Sequence, residues 1–104
     1  MIIKWNPRAE TSLFDTANYV RQEFGSKSSQ KLLYAVYLTT DLLLDNPLLG
    51  PIEPYLEGAP VPYRSIVIKR LNKLVYWVHD DVIEIVDFWN NRKNPLTQAG
   101  RLMK

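Results

Sequence analysis

Hydrophobic positions fall into three periods along the chain, and each period predicts a different kind of element. A short β-favouring run, Ile2, Ile3 and Trp5, stops at Asn6-Pro7 and predicts a first strand. Asn6 is a good helix N-cap, and Pro7 suits the first helical position because the N–H it lacks would find no partner there. Ala9, Leu13, Ala17, Val20 and Phe24 then recur every three or four residues, with Arg8, Glu10, Arg21 and Glu23 off that line. The spacing predicts an amphipathic helix with its stripe turned inward, closed by Gly25 in a left-handed conformation.

A second stripe of Leu32, Leu33, Val36, Thr40, Leu43 and Leu44 predicts another helix, capped by Ser26 or Ser28 and ended by Asp45-Asn46-Pro47. With about three connecting residues around Gly25, the two helices are expected to be antiparallel neighbours. Residues 46 to 62 hold five of the seven prolines, Pro47, Pro51, Pro54, Pro60 and Pro62, and predict a long loop. Its simplest role is that of a connector, and its length leaves room for contact with a partner.

From Tyr63 the period becomes two. Tyr63 to Lys69, Lys73 to His79 and Val82 to Asn90 are rich in Val, Ile, Tyr and Trp, with hairpin-sized breaks at Arg70-Leu71-Asn72 and Asp80-Asp81. They predict an antiparallel meander, followed by a short, loosely held helix over residues 96 to 103. Arg64, Ile66 and Ile68 alternate with Tyr63, Ser65 and Val67, and Leu74, Tyr76 and Val78 with Lys73, Val75, Trp77 and His79. Both sides carry apolar bulk, so alternation does not decide which faces the helices. One face is expected under the helical hairpin and the other open.

Composition narrows the classes of function. In 104 residues, 46% are hydrophobic and 12% aromatic, enough for one packed domain over residues 1–104. The absence of cysteine excludes disulfides, thiolate metal sites and a cysteine nucleophile, and a single histidine argues against a transition-metal centre, so no cofactor is expected. No apolar run approaches a membrane span and the N-terminus lacks a secretory layout, which predicts a soluble, cytoplasmic protein with no membrane partner. Charge is uneven. Residues 62 to 104 carry Arg64, Lys69, Arg70, Lys73, Arg92, Lys93, Arg101 and Lys104 against only Asp80, Asp81, Glu84 and Asp87, while residues 1 to 61 are net acidic. A polyanionic or acidic partner would meet the second half.

Candidate chemistry gathers at Phe88-Trp89-Asn90-Asn91-Arg92-Lys93-Asn94-Pro95. Arg92 and Lys93 suit phosphate, and Trp89 suits base stacking or a protein anchor; the plainer alternative is a polar strand exit with a core tryptophan. His79, beside Asp80-Asp81, reads as an exposed turn residue rather than an acid or base. Asp80, Asp81 and Glu84 are poorly spaced for Mg²⁺. Phosphate-loop, dinucleotide, hydrolase-elbow and zincin patterns are absent.

Taken together, the first strand, the helical hairpin ending at Asn46-Pro47-x-x-Gly50, Tyr63-Arg64, Leu74-Val75-Tyr76-Trp77-Val78, Ile83-Glu84-Ile85-Val86 and Phe88 to Pro95 resemble the RelE/ParE toxin superfamily of type II toxin–antitoxin modules. The resemblance spans nearly the whole chain. It implies an α+β fold, with an N-terminal strand and helical hairpin packed on an antiparallel sheet completed by the C-terminal meander. It also implies a toxin neutralised by a cognate antitoxin, one branch of the superfamily poisoning DNA gyrase and another cleaving mRNA on the ribosome.

For a nuclease, the resemblance places phosphate-stabilising cations at Arg64, Lys73 and Arg92, since attack by a ribose 2′-OH needs cations on the developing charge. Position 73 is Lys where RNA-cleaving members usually carry Arg, and Leu96 and Gln98 stand where those members carry a catalytic Tyr or His-Tyr. A ParE-like toxin needs no catalytic group. The expectation is therefore a ParE-like, plasmid-stabilisation-type toxin that arrests growth by binding gyrase through Trp89, Arg92 and Lys93. The alternatives are a RelE-like mRNA endonuclease and an inactive toxin fold. The antitoxin is expected to fold on the toxin as a helix or added strand, acidic where it meets residues 62 to 104.

Overall fold

The computed structural model describes residues 1–103. In chain order it contains β1 (Ile2–Trp5), α1 (Pro7–Phe24), α2 (Ser26–Asp45), a single 3-10 turn (Pro54–Leu56), β2 (Arg64–Ile68), β3 (Asn72–His79), β4 (Val82–Asn90) and α3 (Pro95–Gly100). The strands form one sheet in the order β1-β4-β3-β2. The meander is antiparallel as expected, but β1 runs parallel to β4, so the whole sheet is mixed. The long α1–α2 crossover makes that parallel return possible.

Local signals set the helix starts. Asn6 Oδ1 accepts from Arg8 N at 2.9 Å with Pro7 at the first helical position, and Asn94 Oδ1 caps α3 in the same way through Leu96 N. Between α1 and α2 the connection is shorter than expected. Gly25 alone, at φ +96°, ends one helix and begins the next, its N–H donating to Arg21 O and its carbonyl accepting from Ser29 N. Neither Ser26 nor Ser28 caps α2; the Ser28 hydroxyl donates back to Phe24 O. The buried Ser29 hydroxyl reaches across to Ala17 O at 2.8 Å and ties the antiparallel pair together.

The helical hairpin covers one face of the sheet. Ala9, Leu13, Ala17, Leu32, Val36 and Leu43 pack on Ile68, Leu74, Tyr76, Ile83, Ile85 and Phe88. Phe24, Leu33 and Leu44, expected in the inward stripes, are exposed instead, and the inward face of α2 is carried by Leu32, Val36 and Leu43. The opposite face is not open. Leu56 of the 3-10 turn and Ala99 of α3 cover Val75, Val86 and Trp89 in a second, smaller core, with Tyr63 and Trp77 at its margin. The proline-rich segment is thus a lid on the sheet as well as a connector, and α3 is pinned rather than loosely held.

Strand β4 bears both cores. Val75 opposes Asp87 while Tyr76 opposes Ile85, so Val86 is the extra residue of a β-bulge. Both hairpin turns carry positive φ on non-glycine residues: Lys69 (53°) and Arg70 (65°) between β2 and β3, and Asp80 (48°) and Asp81 (60°) between β3 and β4. Each such residue costs about 1 kcal/mol.

Gly50 is required by close approach: a Cβ there would sit 2.6 Å from Ser65 O and 2.9 Å from Ile66 Cγ1. Gly50→Ala is expected to destabilise by about 2 kcal/mol, read as a lower urea midpoint with an unchanged slope.

Candidate functional site

Lys31, Lys69, Arg70, Lys73, Arg92 and Lys93 lie around the end of the sheet where β2 turns into β3. Ile68 pairs with Asn72 there, and the Asn72 amide donates to Ile68 O at 3.3 Å, while its buried Oδ1 has no partner among the described residues. Two shallow cavities flank the turn. One, of about 210 Å³, lies on the side of the second core and is walled by Tyr55, Arg70, Lys73, Trp89 and Lys93. The other, of about 240 Å³, lies toward the helices and is walled by Phe24, Lys31, Lys69 and Arg92. Leu71 and Asn72 line both, and no acidic side chain lines either.

Lys73 is held by a buried carboxylate. Its Nζ lies 2.5 Å from Glu53 Oε1 and 5.5 Å from the centre of the Tyr55 ring. Glu53, fully buried, also accepts from Ser65 Oγ at 2.9 Å and from Tyr55 N at 2.6 Å, so it fastens the proline-rich lid to β2 and β3. Arg64 is on the other face of the sheet, opposite Tyr76 in register, with Nη1 donating to Gly50 O at 2.8 Å. Arg92 leaves the end of β4 toward α1 and lies 3.8 Å over the Tyr19 ring. The three cations assigned to a nuclease therefore do not converge: two are engaged with the loop from opposite faces and one is exposed near the helices.

Trp89 is placed in the second core. It is 3% exposed and its Nε1 donates to Asp87 Oδ2 at 2.9 Å, so only its edge reaches a cavity wall, and the plainer alternative of a core tryptophan holds. Arg92 and Lys93 are exposed. His79 is not an exposed turn residue: it ends β3, half-buried, stacked on Trp77 at 3.9 Å with Nε2 2.8 Å from Glu84 Oε1. Among the described residues no group of His, Asp and Glu side chains gathers to hold a metal ion. Gln98 is buried and clasps β4, accepting from Asn90 N at 3.2 Å and donating to Asn90 O at 3.1 Å.

Two buried carboxylates that hold the site's framework, Asp87 and Glu53, were not singled out in the sequence. Asp87, fully buried beside the bulge, accepts from Phe88 N, Trp89 Nε1 and Arg101 Nη2, and from the more distant Ser12 hydroxyl of α1 at 3.4 Å. A lone Asp inside Ile85-Val86-Asp87-Phe88-Trp89 is the one signal that pointed to it. Glu53 gave none, since an acid in a proline-rich loop usually faces water.

No helix among the described residues is long and apolar enough to cross a membrane. In backbone arrangement the chain is similar to solved toxin structures. It superposes on a chain of the chromosomal ParDE system from P. aeruginosa with a TM-score of 0.69 at 18% identity, covering 86% of this chain and 95% of that one. A YoeB–YefM toxin–antitoxin complex from Staphylococcus aureus gives 0.53 at 23% identity over 82% and 90%, and YafQ from E. coli strain BL21(DE3) gives 0.53 at 14% over 86% and 92%. These establish the RelE/ParE fold. Among curated proteins no sequence match was found. The profile of the ParE toxin of the type II toxin–antitoxin system parDE matches residues 3–95, and the chain belongs to that family.

Removing the Lys73 ammonium strands a buried carboxylate. Lys73→Ala is expected to lower stability by about 2 kcal/mol, and Glu53→Gln combined with Lys73→Met to recover most of it, by urea unfolding. Burial is the main cause that raises the Tyr76 phenol above 10.0, partly opposed by the Gly50 N–H and by Arg64. A raised folded-state pKa gives stability that is complete below the unfolded value and lost as pH rises through the folded one. Stability should therefore fall above pH ~10, and Tyr76→Phe should show a smaller alkaline loss in pH-dependent melting.

Proposed function

We propose that this ParE-family protein arrests growth by binding an essential target, DNA gyrase, rather than by cleaving RNA. The observation that carries the reading is the dispersal of Arg64, Lys73 and Arg92, two of which are occupied in holding the loop that carries Gly50 and Glu53. Where an RNA-cleaving relative would need a proton-transfer group, Leu96 is an exposed aliphatic residue and Gln98 is a buried clasp. Binding needs only exposed groups, and Arg92 and Lys93 supply them.

A cognate antitoxin is the second partner in this reading. The solvent face of α2 carries Tyr34, Tyr37, Leu38 and Leu42, all exposed, with the two tyrosine rings stacked at 6.3 Å. These positions recur at helical spacing on one side, the arrangement an amphipathic partner helix covers. The similar S. aureus structures are complexes of toxin with antitoxin.

Incubation with gyrase, ATP and supercoiled plasmid is expected to give protein-dependent linear DNA, with mRNA left intact on translating ribosomes. Codon-positioned mRNA cuts with untouched plasmid would overturn the reading in favour of the nuclease. In growth assays Arg92→Ala is expected to abolish arrest while its melting temperature stays near that of the parent protein.

A further inference from the structure

We infer that the β2–β3 end of the sheet is a binding surface for the phosphate backbone of duplex DNA. Five exposed cations, Lys31, Lys69, Arg70, Arg92 and Lys93, line the two cavities around this turn. None is in an ion pair among the described residues, and Lys73, the sixth, is neutralised by Glu53. The sheet is polar along its length: the next turn, between β3 and β4, carries Asp80 and Asp81 in place of Lys69 and Arg70. Both turns place charged residues at positive φ, where Asn or Gly would be easier. The basic turn stands among further cations of like sign, which is the arrangement expected of a surface completed by a polyanion.

The aromatic groups favour a duplex over a single strand. Unpaired bases need successive open rings on which to stack. Tyr19 is covered by Arg92 and Trp89 is in the core, which leaves Tyr55 and Phe24 as exposed rings, one in each cavity, rather than a run of neighbouring rings. A duplex needs only cations spaced to meet phosphates, and an affinity made of such contacts falls steeply with salt.

The test uses fluorescence anisotropy of the whole protein with a labelled 20-base-pair duplex, a single-stranded RNA of equal length, and polyglutamate as competitor. Five phosphate contacts predict a slope of about −4.5 in log affinity against log salt, or a loss of about 500-fold between about 50 and 200 mM. Lys69→Asn with Arg70→Gly relieves the turn while removing two contacts. This variant is expected to melt no lower than the parent protein and to lose only about 40-fold over the same range. Asp80→Asn with Asp81→Gly makes the same change at the acidic end and should leave the slope unaltered. No duplex binding at 50 mM salt, an unchanged slope for the Lys69/Arg70 variant, tighter binding to the RNA, or displacement of the duplex by polyglutamate at equal charge would each overturn the inference. No gyrase is present, so the result stands apart from the proposed target.

Discussion

Strand β4 has to be covered on both faces, and every other element is placed by that requirement. Ile83, Ile85 and Phe88 face one core while Val86 and Trp89 face the other, and the run from Ile85 to Asn90 is buried throughout. An apolar strand of this kind contributes roughly 2 kcal/mol for each large side chain taken from water, so leaving either face open would forfeit several such terms. The helical hairpin is large enough to cover the first face. Only the proline-rich loop and α3 remain to cover the second, and they do so.

Small covers need anchors, because Leu56 and Ala99 alone bury little surface. The structure supplies two buried carboxylates. Glu53 fastens the loop through Lys73, Ser65 and the Tyr55 N–H, and Asp87 fastens the end of the chain through Arg101 while holding Trp89. A charge without water is tolerated where its oxygens accept several hydrogen bonds and a cation lies beside it. The bulge at Val86 accompanies a change of side-chain direction near the end of β1, where Asp87 meets partners from both α1 and the C-terminal segment.

This use of charge separates the cations into two populations. Arg64, Lys73 and Arg101 are spent within the fold, whereas Lys31, Lys69, Arg70, Arg92 and Lys93 stand free at one end of the sheet. In the sequence all of these but Lys31 belong to the basic excess of residues 62 to 104. The second population differs in chemistry from the solvent-facing tyrosines of α2. The molecule thus offers one basic surface and one apolar surface, suited to different kinds of contact.

The sequence by itself determined the order of elements, because the signals are local: Asn6-Pro7 and Asn94-Pro95 begin helices, Gly25 breaks one, and alternation marks the meander. Arg92 and Lys93 as exposed cations were legible for the same reason. The parallel seat of β1, the inward burial of Trp89, the roles of Glu53 and Asp87, and the split of Arg64 from Lys73 across the sheet were decided by tertiary structure alone. Each depends on groups distant in sequence: Glu53 meets Lys73 twenty residues on, and Asp87 meets Ser12 seventy-five residues back. When both faces of a strand are apolar, period-two alternation carries no information about which face meets the helices. Only the lengths of the covering elements and the partners of the buried charges can fix it.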